Sequence, residues 1–206
     1  MLKKTLFLPA ALTLFINCPQ NGPSGNPGVQ HTVTRNPTDP SIQNAEEKSP
    51  TETVKAFMKW YKENRDQLYT FNTVRGGMFT ETDPPVTYHI DFDEVEKEIK
   101  FLEESDLFSP KFLSVYKQRY VDGNDHFKQN PTYDGPPEDF DYDYFFLTQD
   151  DYASDLVNID AIKFSLKPIN DKLCYIQFHL KNCGMTYKYV LIKGDQWQID
   201  SINTIS

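Results

Sequence analysis

Nine carboxylates crowd one stretch of this 206-residue chain, and no base dilutes them. Asp134, Glu138, Asp139, Asp141, Asp143, Asp150, Asp151, Asp155 and Asp160 lie between Lys128 and Lys163, an interval without Lys or Arg. Of 30 acids and 21 bases in the chain, these nine account for the whole formal net charge of −9. Such a field favours a cation, an amine or a basic partner. Asp139, Asp141 and Asp143 alternate and Asp150 falls twelfth from Asp139, a spacing that approaches a calcium loop. The match fails in its details. Tyr144 stands where the loop needs Gly, Asp150 is shorter than the bidentate Glu, and Phe145-Phe146-Leu147 is too apolar for a solvated loop, so no metal is expected. Two other roles suit the segment. Asp141 and Asp143 can accept hydrogen bonds from backbone or Tyr hydroxyl groups and pin the loop. Tyr133, Phe140, Tyr142 and Tyr144 put flat amphipathic rings beside the charge, a surface suited to a protein or an amine-bearing ligand.

Acid–base or nucleophilic catalysis needs tunable groups brought together, and here they are scattered. His31 lies near the N-terminus, His89 and His179 on expected strands, and His126 near the end of an expected helix. Each reads as a surface or hydrogen-bonded structural histidine. There is no His-x-x-x-His, Glu-x-x-His or Cys-x-x-Cys spacing for a metal. Gly76-Gly77 lacks the strand, glycine spacing and lysine of a phosphate loop and reads as a turn. Cys174 and Cys183 lie roughly 25 to 30 Å apart if one strand joins them at about 3.3 Å per residue. That exceeds the reach of a disulfide, about 7 Å between Cα atoms, so both read as core or turn thiols.

The elements that must position these groups are marked by local signals. Ser49-Pro50-Thr51-Glu52 has the form of a capping box with proline at the first helical position. Val54, Phe57, Met58 and Tyr61 then form an apolar stripe at helical spacing. After an irregular stretch and a short alternation over 86–92, Asp93 is expected to cap a second helix bearing Val95, Ile99 and Leu102. Ser109-Pro110 opens a third helix with Phe112, Val115, Tyr116 and Tyr120, expected to fade near Gly123 or a few residues beyond. From Ile159 the period becomes extended, with β-rich runs over 162–169, 173–180, 186–193 and 197–202. Asn170-Asp171, 182–184 and Gly194-Asp195 supply turns between them. Helices first and strands afterwards predict an α+β domain over 49–206, its helices packed on one face of a curved antiparallel sheet. Fifteen Phe and twelve Tyr give that core an aromatic filling.

The N-terminus reads as an export signal. Lys3 and Lys4 precede an apolar run from Thr5 to Ile16, too short for a membrane-spanning helix, which needs roughly twenty residues. Cys18 follows that run as a candidate acylation site, although Phe15, Ile16 and Asn17 replace the usual small residues before such a cysteine. The alternative is a signal cleaved a few residues later. Residues 19–48, rich in Gly, Pro, Asn, Ser and Thr, are too poor in apolar groups to offset their ordering entropy and read as a tether. The acidic balance argues against nucleic acid or anionic membrane as a partner, leaving membrane attachment to the anchor alone.

Three blocks, 49–61, then Asp139-Phe140-Asp141-Tyr142-Asp143 with Gln149-Asp150, then Gly194-Asp195-Gln196-Trp197-Gln198-Ile199-Asp200, together resemble a bacterial exported-protein family. It is the one catalogued as domain of unknown function 3828, and the resemblance covers about residues 49–206. It implies a fold similar to nuclear transport factor 2, a cone of helices against a bent antiparallel sheet, and no assigned reaction. Tyr144 stands where members like this often have proline.

The candidate ligand- or partner-binding set is therefore Asp139, Asp141, Tyr142, Asp143, Gln149 and Asp150, with no cofactor. The leading expectation is a non-catalytic cell-envelope binding domain whose partner is an envelope protein or a small, cationic ligand. The alternatives are an enzyme with a pocket in the cone, using an Asp or His as base, and an inhibitor or immunity-type protein that blocks a basic target.

Overall fold

In a computed structural model the described residues are 48–78 and 84–205. The expected signal, Cys18 and the tether up to residue 47 lie outside them. Helix α1 (Pro50–Leu68) begins as its sequence requires: Ser49 Oγ accepts from the Glu52 amide at 3.3 Å, and the Ser49 amide donates to the Glu52 carboxylate at 2.7 Å. Its stripe of Val54, Phe57, Met58 and Tyr61 is fully buried.

A hairpin follows, β1 (Val74–Gly77) with β2 (Val86–Ile90). Gly76 and Gly77, expected as a turn, instead lie within β1 at φ of +103° and +93°, where the register slips between Arg75 and Gly77. A Cβ on Gly76 would fall 2.4 Å from the Thr87 carbonyl oxygen, so the bulge needs glycine for both dihedral and space.

Helix α2 (Phe92–Glu103) is capped by Asp91, which accepts from the Glu94 amide at 3.2 Å, and not by Asp93. Asp91 directly follows the last residue of β2, so the chain passes from strand to helix without a linker. Asp93 then occupies the first turn, where the helix dipole favours an acid. Helix α3 (Pro110–Gln129) starts at its Ser109 cap and runs through Gly123 without fading. That glycine serves packing: a Cβ there would stand 2.4 Å from the Phe140 ring.

A short 3₁₀ segment (Asp155–Ala161) leads into four strands, β3 (Phe164–Asn170), β4 (Leu173–His179), β5 (Thr186–Lys193) and β6 (Trp197–Ile205). They pair in chain order as an antiparallel meander. The molecule is α+β, helices followed by a C-terminal antiparallel four-stranded sheet, as expected. Strands β4 and β5 alternate buried and half-buried residues. Cys174, Ile176, Phe178, Tyr187, Tyr189 and Leu191 point into the core against α1. Phe57 sits at the centre, its ring 5.7 to 5.8 Å from those of Phe108, Phe145 and Tyr189. Buried Asp200 of β6 holds the start of α3 by accepting from Ser109 Oγ at 2.7 Å and pairing with Lys111 at 2.6 Å. Cys174 and Cys183 are separate buried thiols, and burial pushes the Cys174 thiol up to about 11. Among the described residues no helix is long and apolar enough to cross a membrane.

Candidate functional site

Loop 133–152 connects α3 to the 3₁₀ segment with no regular element beyond a single bridge between Asp143 and Thr148. It is held by side chains. Phe145 and Phe146 drive into the core, and their backbone polar groups must find partners there. Both amides donate to Asp143 Oδ1 at 2.9 Å, while Tyr189 and Tyr187 donate to the Phe145 and Phe146 carbonyls at 2.6 and 2.7 Å. Asp143 Oδ2 accepts from the Tyr61 hydroxyl and, at 2.8 Å, from that of Tyr152, which also lies 3.1 Å from Tyr69 Oη. Burial holds the Asp143 carboxyl above its usual range, while these hydroxyl and amide donors oppose that shift.

Outside this anchor the loop wraps a cation from its own chain. The Arg119 guanidinium of α3 lies 4.2 Å from the Phe140 ring centre, 5.0 Å from Tyr144, 5.5 Å from Tyr142 and 5.6 Å from Tyr120. It also donates to the Asp139 carbonyl. The aromatic faces expected to receive a foreign amine are thus occupied by Arg119, a residue that sequence reasoning missed.

The predicted residues share this loop but divide by role. Asp143 is the internal anchor. Asp139, at φ of +65°, offers its carbonyl to Arg119 and keeps its carboxylate exposed. Exposed Asp141 accepts from Gln149 Nε2 at 2.9 Å, and Asp150 from Thr148 Oγ1 at 3.1 Å. Tyr142 is half-buried against Arg119. Other acids of the segment are engaged elsewhere. Asp160 pairs with Lys55, Glu138 with His126, and Asp155 accepts from the Asn182 and Cys183 amides at the β4–β5 turn. Among the described residues no group of three or more His, Cys, Asp or Glu is placed to hold a metal ion.

Sequence reasoning also missed Glu98 of α2, which is only 6% exposed. Tyr116 and Tyr120, one helical turn apart on α3, donate to its two oxygens at 2.8 and 2.6 Å. Burial raises its carboxyl above the ordinary range, against the two hydroxyl bonds and the charge of Arg119. Burial beside Glu98 likewise drives both phenols well above their usual range. Its signal lies in the α2 spacing, where Glu98 falls between Val95 and Leu102 on the buried stripe.

Two openings adjoin these groups. A groove of about 390 Å³ runs between α3 and the loop, with Val115, Gln118, Asp122, Asp139, Tyr142 and Tyr144 on its walls and Arg119 among them. A cavity of about 130 Å³ lies behind it, reached by Glu98, Asp143, Arg119 and the tyrosines 61, 69, 116 and 120. Family models, curated proteins and solved structures provide no match to this chain.

Proposed function

We propose that this chain is an exported, non-catalytic recognition domain whose loop 133–152 presents an acidic, aromatic surface to a basic partner in the cell envelope. The observation that carries the reading is the groove between α3 and the loop, where exposed Asp122 and Asp139 flank Tyr142 in a segment already ordered by Arg119 and Asp143. A pre-ordered loop loses little conformational entropy on binding. Because Arg119 fills the ring faces, the partner meets the carboxylates of Asp122 and Asp139, which suit lysine or arginine side chains on a protein. Asp143 does not serve as a general base in this arrangement, since both its oxygens are fully engaged by donors.

Export and acylation at Cys18 belong to the same proposal, supported by the basic and apolar pattern of residues 3–18. So does the finer fold, a cone similar to nuclear transport factor 2 with the family kinship read from the three sequence blocks. The order of three helices followed by a meander supports it.

A photoreactive phenylalanine in place of Tyr142, in the full chain expressed in a bacterium that exports it, tests the surface. A discrete adduct is expected from this position and not from Val157, which is 72% exposed in the 3₁₀ segment. Asp122→Asn with Asp139→Asn should weaken the adduct severalfold, as should added salt. No adduct, or one indifferent to both changes, removes the loop as the recognition surface.

A further inference from the structure

The cavity behind the loop holds a buried carboxylate whose hydrogen-bonding capacity is half used. An ionised carboxylate has about four acceptor positions. Asp143 fills them with two amides and two hydroxyls, whereas among the described residues Glu98 receives the hydroxyls of Tyr116 and Tyr120 alone. Both acids line the cavity, so the unused capacity there is that of Glu98. Glu98 makes no ion pair with any Lys, Arg or His among the described residues. The charge of Arg119 reaches it without an ion-pair contact, and a buried carboxylate so weakly countered takes up a proton or is matched by a further cation.

The walls select among ligands. An anion would face two carboxylates. A cation meets the hydroxyl oxygens of Tyr61, Tyr69, Tyr116 and Tyr120, which remain acceptors, while the ring faces of Phe140 and Tyr144 are taken by Arg119. The charge of Arg119 is turned toward the rings and the Asp139 carbonyl. At about 130 Å³ the cavity has room for several waters, which occupy roughly 30 Å³ each in the liquid, and hence for a cation of a few heavy atoms. Tyr69, 65% exposed, joins the lining to solvent.

We propose that this cavity is a binding site for a small alkylammonium ion, with Glu98 as its counter-ion and the tyrosines as its walls. The site shares Arg119, Tyr142 and Tyr144 with the outer groove but does not rest on the recognition role of the loop.

Methylammonium chloride titrated into the full chain, followed through the ring resonances of Tyr116 and Tyr120, provides the test. Saturable shifts are expected with methylammonium, and none with potassium chloride at matched ionic strength or with tetraethylammonium, which exceeds the cavity. Glu98→Gln should weaken binding at least about thirtyfold by removing the buried counter-charge. Asp195→Asn, in the exposed turn between β5 and β6, should bind as the parent does. Absence of saturable shifts in the parent chain, or equal shifts with the two control salts, overturns the proposal whether or not Glu98→Gln folds. Binding undiminished in a folded Glu98→Gln overturns it as well. Either failure leaves the Tyr142 adduct untouched, and the converse holds.

Discussion

Half-buried Asp143 and buried Glu98 are two versions of one local theme, a carboxylate gripped by a pair of tyrosine hydroxyls, and they differ in what else reaches them. Asp143 lies in an irregular loop whose apolar residues carry their amides into the core, and it receives two of those amides as well as the hydroxyls. Glu98 lies on a helix that satisfies its own backbone, so no amide is left over to donate to it. Irregular backbone thus consumes the acid beside it completely, and regular backbone leaves one partly free. The first acid is spent on folding, while the second is available for a ligand.

Removing Asp143 should therefore have the largest effect on stability. Asp143→Ala leaves two buried amides and two buried hydroxyls without their acceptor, and a loss of about 3 to 5 kcal/mol is expected. Urea unfolding at neutral pH measures it as a fall in midpoint. Limited proteolysis within 133–152 should accelerate in parallel, because the anchor holds that loop. A loss below about 1 kcal/mol would place Asp143 in the same class as Glu98 and dissolve the contrast.

Replacing Arg119 should cost less, because it secures the outer part of the same loop and not the core. Arg119→Lys keeps the charge but loses the planar stack over Phe140 and Tyr144 and the fork to the Asp139 carbonyl. About 1 to 2 kcal/mol is expected, since each desolvated cation–π contact contributes about that much or less. Proteolysis should then open the chain near 133–142 and spare Phe145-Phe146, which Asp143 still holds. Cleavage spread equally over both parts would mean that the loop has one anchor and not two.

The elements set by adjacent residues were legible in the sequence. Ser49-Pro50 and Ser109-Pro110 became capped helices because a cap needs only its own next three residues, and the four strands followed from alternation and turn residues. Gly76-Gly77 and Gly123 were misread because glycine marks turns, bulges and close contacts alike, and only the neighbours Thr87 and Phe140 tell which. In the candidate site, the sequence named Asp141 and Asp143 as acceptors from backbone or Tyr hydroxyl groups that pin the loop; Asp143 accepts from both, whereas Asp141 accepts from the Gln149 side chain. It did not reveal Arg119 as the cation inside the aromatic loop, since the two meet across some twenty residues of chain. Glu98 was not singled out among the glutamates of α2, which include Glu94, Glu96 and Glu103. Its place on the buried stripe, facing two tyrosines four residues apart, was a readable clue.

The smallest effect is expected at Glu98, and its sign separates the two carboxylates. Glu98→Gln keeps the shape and an acceptor while removing a desolvated charge, so stability at neutral pH should change by no more than about 1 kcal/mol, in the favourable direction if at all. The pH dependence carries more information. A carboxyl raised in the folded state holds its proton more tightly there than in the unfolded chain. Its contribution is fully present below the ordinary glutamate range and is lost as pH rises through the folded value. Asp143 is raised as well, so the parent curve contains both groups, and the parent curve minus that of Glu98→Gln isolates Glu98. That difference should fall with rising pH from the ordinary glutamate range upward and then level off. Methylammonium in the buffer should reduce the fall, because a bound cation replaces the proton as counter-charge. A difference curve that rises instead would mean that the two tyrosine hydroxyls and Arg119 outweigh burial, making Glu98 a satisfied carboxylate of the same kind as Asp143.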